Sequence, residues 1–390
     1  MSDDDRLEID ITTLSSEGDG IGRDETGRVV FVPFTAPGDR VRVRVTSRRK
    51  RFLRASVETL LVPGEARAEP VCAVYGSCGG CSWQHVSYDA QLEAKARQVR
   101  DALERIAKLT APAIETIPSP TPYAYRARAR VVREGERVGY RRRRSRALCS
   151  ITRCPVLTEP AERALRALAE DPEAEPGEWE LAAGSAASEP ARRTPVAAAE
   201  GGRVLLEAGG DRLEVSPGVF YQANLGLHEA LIAAVLDAAG TGALALDLYA
   251  GAGFFTLGLA RGFERVVAVE SASAAVRDCR RNLEAAGHGN ALVVPGRLED
   301  VAQEAPLVSL RPEVVVLDPP RAGLGEPLAA WLADRGADRV VYLSCDPATL
   351  ARDVGVLAER GYRLTRLQAF DLFPQTPHVE ALAVLESANA

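Results

Sequence analysis

No stretch of this 390-residue chain is long and apolar enough to read as a membrane span. The longest near-apolar run, residues 240–260, is broken by Asp247 and several glycines. The first residues, Met1-Ser2-Asp3-Asp4-Asp5, are acidic and lack the basic-then-apolar pattern of a secretory leader. A cytoplasmic protein without membrane association is therefore expected. There is no internal repeat, which removes solenoids and propellers. At 46% hydrophobic and 26% charged residues the composition is that of an ordinary globular protein, long enough for two or three domains. In a cytoplasmic setting, seven cysteines point to metal binding or catalysis before disulfides.

Acidic residues are missing where basic ones gather. Arg40 to Arg54 holds eight basic residues and no acidic one, and Arg126 to Arg146 holds ten arginines against Glu134 and Glu136. These two segments carry 18 of the 48 Lys and Arg residues, so the net charge of −6 hides a strongly uneven distribution. Local basic patches, rather than net charge, attract phosphates, which points to nucleic acid.

The first segment belongs to a β-rich module over residues 1–62. Leu7 to Ile11 alternates, Gly18 to Gly22 is a turn, and Val29 to Val32 is a short strand. Asp39 to Val45 alternates strictly, with valines on one face and arginines on the other. Such a strand suits an OB-type barrel with a phosphate-facing surface. Next comes a cysteine-rich loop, then a helix expected over 91–109 from the spacing of Leu92, Ala96, Val99, Leu103 and Ile106. Residues 114–216 read as irregular and β-rich, with 170–202 a loop or linker rich in Ala, Glu, Pro and Gly. From 217 onward helix and strand alternate, as in a doubly wound sheet.

Cys72, Cys78 and Cys81 stand on one short loop with Gly79 and Gly80 between the last two. Glycine lets a backbone wrap an ion or cluster at little steric cost. Cys149 and Cys154 are candidates for a fourth ligand. The spacing leaves an iron–sulfur cluster, structural zinc and simple burial open.

Three strand-like runs end in polar residues: Asp247 to Gly253, Asp318 to Arg321, and Ser344-Cys345-Asp346-Pro347. Open α/β sheets bind ligands at such carboxyl ends. A thiol there is placed to touch a ligand, so Cys345 reads as a nucleophile. The Gly-Ala-Gly turn at 251–253, with Glu270 about 20 residues beyond Tyr249, favours S-adenosylmethionine over a dinucleotide. Cys279 and His378 read as structural, and Cys149 has no other role assigned.

Taken together, Cys72/Cys78/Cys81, Cys154-Pro155-Val156-Leu157, Phe220 to Asn224, Asp247-Leu248-Tyr249, Asp318 to Arg321, Ser344 to Pro347 and Phe373 to Glu380 resemble the RNA uridine-5-methyltransferase family. The likeness is greatest to the 23S ribosomal RNA branch with a TRAM domain and a 4Fe–4S cluster. It covers nearly the whole chain. It implies an α/β protein: a Rossmann-like class I S-adenosylmethionine methyltransferase domain at 217–390, an OB-type (TRAM) barrel at 1–62, and a central β-rich iron–sulfur domain at 63–216. The 91–109 helix would pack on the catalytic domain.

The resemblance also implies Cys345 as nucleophile and Glu380 as general base. It places Gln222, Tyr249, Glu270 and Asp318 on the S-adenosylmethionine, Phe220 and Arg321 beside the uracil, and Cys72, Cys78, Cys81 and Cys154 on the cluster. Ala250 stands where many members have cysteine, and Arg297 near a position often held by a small polar cofactor ligand. The expected partner is RNA, with 23S ribosomal RNA ahead of transfer RNA, acted on by a monomer. A catalytically inactive RNA-binding factor is the alternative of a different class. Carbon 5 of uracil becomes nucleophilic when a thiolate adds at carbon 6, which is what Cys345 would supply from a partly ionised state in an electropositive or hydrogen-bonded pocket.

Overall fold

The computed structural model describes residues 5–186, 189–198 and 201–388. The amino-terminal strands β1 (Arg6–Leu14), β2 (Gly20–Arg23), β3 (Val29–Val32), β4 (Arg40–Arg48) and β5 (Phe52–Val62) close into a barrel in the order β1-β2-β3-β5-β4. Alternation in sequence becomes alternation in burial: Val41 and Val43 join Ile9, Ile11 and Leu53 inside, while Arg40 and Arg42 stand outside. That arginine face is not bare. Glu8 of β1 pairs with Arg40 (3.2 Å) and Arg42 (2.9 Å), and Glu58 of β5 pairs with Arg6 (2.9 Å) and Arg44. The guanidinium face expected of this strand is present, and neighbouring strands supply it with carboxylate partners that one strand's pattern cannot reveal.

After the cysteine loop, α1 (Tyr88–Ala102) passes into one π turn, Leu103–Ala107, and stops at Lys108 in a left-handed conformation. The helix expected over 91–109 therefore begins earlier, and its regular part ends at Ala102. Its buried face is Gln91, Ala94, Lys95 and Val99, while Ile106 is 47% exposed. The apolar stripe in the sequence misplaced that face because two polar residues have buried partners. β6 (Ile114–Ile117) follows.

The central sheet contains β7 (Arg128–Glu134), β8 (Arg137–Arg141) and β9 (Leu148–Ser150), then α2 (Glu159–Glu170), β10 (Gly177–Ala182) and β11 (Arg192–Pro195). Its strand order is β11-β10-β7-β8-β9, and α2 buries Ala161, Ala164, Leu165 and Leu168 against it. The expected linker at 170–202 thus contributes two strands; its residues 187–188 and 199–200 lie outside the described residues. β12 (Val204–Ala208) and β13 (Asp211–Val215) form a hairpin whose apolar side packs into the core of the following sheet.

The largest sheet is built from α3 (His228–Ala239), β14 (Gly242–Leu248), α4 (Thr256–Gly262), β15 (Phe263–Glu270), α5 (Ser273–Ala285), β16 (Ala291–Pro295), α6 (Leu298–Val301), β17 (Val314–Leu317), α7 (Gly325–Asp334), β18 (Arg339–Ser344), α8 (Pro347–Glu359), β19 (Tyr362–Phe370) and β20 (Glu380–Ser387). Its order is β16-β15-β14-β17-β18-β20-β19-β6. The first five strands are parallel, β20 runs antiparallel to both neighbours, and β6 pairs parallel with β19. So β6, from the stretch read as central, is an edge strand of this sheet. Both faces are covered: Val266 and Ala268 enter one core, Val267 and Val269 the other, which is why these strands read as unbroken apolar runs. No described helix is long and apolar enough to cross a membrane.

Candidate active site

The parallel strands deliver their polar residues to one edge of the sheet. Tyr249 follows β14, Glu270 ends β15, Asp318 follows β17 and Cys345 follows β18. β20 brings the last group from far along the chain. Because it runs antiparallel to β18, with Ala381 opposite Ser344, its first residue Glu380 falls beside the loop that holds Cys345. Phe220, Gln222, Tyr249, Glu270, Asp318, Arg321, Cys345 and Glu380 all line a single pocket. Arg297 lines it too and pairs with Glu299 at 3.6 Å.

The end of the pocket beside β14 and β15 is shaped by backbone geometry. Tyr249 has φ +64, a costly value for a non-glycine residue, and Gly253 (φ +95) packs so closely on Cys279 that a Cβ would come within 3.2 Å of its sulfur. Glu270 accepts from the amides of Gly251 (2.9 Å) and Ala272 (2.6 Å), which fixes its carboxylate at the rim. Gln222 is buried, and its Oε1 has no hydrogen-bond partner. A buried lone acceptor facing a pocket is an open position for a donor on a ligand.

The other end is dominated by negative charge. Burial, then the Asp247 charge, pushes Asp318 up to about 7, while a hydrogen bond from Gln222 opposes the shift. Asp247 itself, accepting from Thr256 Oγ1 at 2.5 Å, is pushed up to about 7 by burial. Glu380 is buried, its Oε1 is unpartnered, and burial followed by Asp318 raises its carboxyl well above the usual range. Burial, then Glu380, pushes the Cys345 thiol up to about 11, with Arg321 opposing. Burial, more than any neighbouring charge, thus keeps the proton on Cys345 in the free protein, with Arg321 as the one electropositive neighbour acting against it.

A second cleft opens from the first and shares Phe220, Arg321, Phe373 and His378 with it. Its walls carry Arg126, Arg128, Arg130 and Arg141 to Arg144. Arg128 pairs with Glu180 and lies 5.6 Å from the ring centroids of both Phe220 and Tyr221. Arg143 and Arg144 reach Asp19 at 2.8 and 3.5 Å, and barrel residue Arg54 reaches the same carboxylate at 3.3 Å. Asp19 is only 1% exposed.

Comparison with known proteins agrees with this geometry. Residues 212–388 match the family described as tRNA (Uracil-5-)-methyltransferase, and residues 5–57 match the TRAM domain. A 23S rRNA (uracil(1939)-C(5))-methyltransferase, RlmD, of Pseudomonas aeruginosa is 35% identical over 97% of this chain and 94% of its own length. A Synechocystis protein described as an uncharacterized RNA methyltransferase is 33% identical over 98% of this chain and 96% of its own. The Pyrococcus abyssi tRNA (uracil-54, C5)-methyltransferase, solved with S-adenosyl-L-homocysteine, superposes with a TM-score of 0.75 at 26% identity, covering 97% of this chain and 100% of that one. The chain belongs to the RNA (uracil-5-)-methyltransferase family.

In this RNA (uracil-5-)-methyltransferase the cysteine loop lies behind the basic cleft. Cys72, Cys78, Cys81 and Cys154 line one small cavity with Val74, Ile151 and Val156, while Cys149 is buried outside that lining. Burial pushes Cys78 up to about 12 and Cys81 to about 11, and the neighbouring thiols push the same way. Among the described residues no three His, Cys, Asp or Glu side chains stand where one metal ion could take them all. Four thiols around one cavity are a donor set of the type that iron–sulfur clusters take.

Sequence reading missed the residues that hold the methyltransferase pocket together. Asp353 on α8, fully buried, accepts from Tyr342 Oη (2.7 Å) and from the amides of Leu324 (2.7 Å) and Gly325 (3.2 Å). Thr349 Oγ1 donates to the carbonyl of Arg321 at 3.1 Å. The helix that follows Cys345 thereby clamps the loop that carries Asp318 and Arg321. The available signal was an aspartate at an otherwise apolar position of α8, among Leu350, Ala351, Val354 and Leu357. Lys95, buried against Asp371, and Gln91 likewise occupy apolar-face positions of α1.

Proposed function

We propose that this protein transfers a methyl group from S-adenosyl-L-methionine to carbon 5 of a uridine in 23S ribosomal RNA. The observation that carries the reading is the meeting of Cys345, Glu380 and Asp318 in one pocket through the antiparallel pairing of β18 and β20. Gln222, Tyr249, Glu270 and Asp318 would hold S-adenosyl-L-methionine, which supplies an electrophilic methyl. The unpartnered Gln222 Oε1 and the carboxylate of Glu270 suit its ammonium and ribose hydroxyl donors. Arg321 and Phe220 line the side from which a flipped uracil would enter.

Cys345 adds as thiolate to carbon 6, forming the S–C bond and moving the ring electrons to the carbon 5–oxygen 4 enolate. Arg321 is placed to stabilise that charge. Carbon 5 then displaces S-adenosyl-L-homocysteine from the methyl group, Glu380 takes the carbon 5 proton, the carbon 5–carbon 6 double bond reforms and the Cys345 sulfur leaves as thiolate. A positive charge seated beside Asp318 favours the ionised forms of Glu380 and Cys345 that these steps require.

The ribosomal reading rests on the Pseudomonas relative, and the transfer RNA reading on the Pyrococcus structure. Mapping 5-methyluridine in both RNAs from a deletion strain decides between them, and loss from neither leaves the inactive RNA-binding factor. For the chemistry, Cys345→Ala should lower turnover by about four orders of magnitude while cofactor affinity holds. Glu380→Gln should accumulate a methylated protein–RNA adduct, because addition and methylation precede proton removal. Near-normal activity in Cys345→Ala would end this mechanism.

We also propose three units, 1–62, 63–216 and 217–390, with α1 and β6 of the second lying on the third, in a cytoplasmic monomer. Cys72, Cys78, Cys81 and Cys154 are proposed to hold a 4Fe–4S cluster, which would cross-link the loop to Cys154 without entering methyl transfer. Anaerobically purified protein should be brown with about four irons per chain. Colourless folded protein with stoichiometric zinc decides for a zinc site instead.

A further inference from the structure

The loop between β19 and β20 is anchored to the central segment at successive residues. Asp371 and the carbonyl of Phe373 take Lys95 Nζ, and the carbonyl of Pro374 accepts from Tyr125 Oη at 2.9 Å. Gln375 is the densest point. Its amide donates to Gln91 Oε1 (2.9 Å), its Oε1 accepts from Gln91 Nε2 (3.1 Å), and its Nε2 donates to the carbonyl of Pro122 (3.3 Å). Its own carbonyl accepts from the amides of Ser82 and Trp83 at 2.9 and 3.0 Å. Gln375 is 3% exposed and has φ +67, a conformation that persists in a non-glycine residue only when its surroundings enforce it.

Two of the next residues bear on the pocket: His378 lines it and Glu380 enters it. Glu380 Oε1 has no hydrogen bond of its own. Its position is therefore inherited from the backbone on either side, which means β20 after it and the anchored loop before it. We propose that Gln375 and Gln91 form a paired-amide lock that positions Glu380 against Cys345, so that the central segment sets the rate of proton removal. This rests on the reading of Glu380 as the base.

Full-length Gln375→Gly keeps the left-handed backbone and its N–H bond to Gln91 but loses the side-chain amide with its bonds to Gln91 Nε2 and Pro122. Gln91→Met removes both bonds to Gln375 at similar volume. In single turnover with substrate RNA, both should prolong the methylated adduct about tenfold, lower kcat to match and leave KM for S-adenosyl-L-methionine within about twofold. Hydrogen exchange of the Thr376, His378, Val379 and Glu380 amides should accelerate in both. A wild-type adduct lifetime in either folded variant overturns the lock and assigns placement to β20 alone. Glu380→Gln is measured alongside. If that variant clears its adduct at the wild-type rate, the base assignment has failed, and unchanged exchange of the same amides then overturns the lock independently.

Discussion

The acidic side chains of the pocket crowd one another, and Asp247, Asp318 and Glu380 hold their protons more tightly than they would in water. For Asp318 the folded value of about 7 lies above the ordinary 3.8, so its favourable contribution is complete below about 3.8 and is lost as pH rises through 7. Asp318→Asn should therefore stabilise the free protein by roughly 1–3 kcal/mol above pH 7, with the gain fading toward pH 4. Urea unfolding at several pH values checks this. Activity moves the other way: a thiol at about 11 makes adduct formation climb with pH through the neutral range. At this scale the sequence was most legible. Cys345, Asp318 and Glu270 follow strand ends visible in the chain, whereas Glu380 was reachable only by resemblance, since nothing local announces an antiparallel neighbour.

Elements were legible where one period ruled them and obscure where a partner did. The valine–arginine alternation of β4 and the unbroken apolar runs of β14, β15, β17 and β18 gave their places directly. α1 did not, because its buried face includes Gln91 and Lys95, whose partners Gln375 and Asp371 lie near the other end of the chain. β10 and β11 were hidden by a composition that resembles a linker, and their pairing with β7 is what makes them strands. Lys95→Met strands the Asp371 carboxylate in an apolar setting and should cost about 3–5 kcal/mol. Chemical denaturation measures that loss. A cost near zero would show that the buried pair adds nothing to stability.

Over the whole molecule, both arginine-rich segments mix paired and unpaired cations among the described residues, and what separates particular arginines is the partner each already faces. Those on β4 already face Glu8 and Glu58, while Arg130 and Arg142 line the cleft beside the pocket. Replacing Arg130 or Arg142 with alanine should lower the salt dependence of RNA binding by roughly 0.7–0.9 for each phosphate left without its arginine, and replacing Arg42 or Arg44 should change it much less. Equal slopes for all four would return the barrel to the phosphate-binding surface. Each anionic partner on the barrel must be displaced before a phosphate can take its place, which is why the difference should be largest at low salt.

Asp19 carries a mechanical consequence. Its carboxylate is buried and shared by Arg54 on one side of the barrel joint and by Arg143 and Arg144 on the other. Swinging the barrel outward would break the links to Arg143 and Arg144 and leave Asp19 with Arg54 alone. The barrel and the basic cleft are thereby held in register through one shared carboxylate, so an RNA that touches both meets them at a spacing the protein has already set.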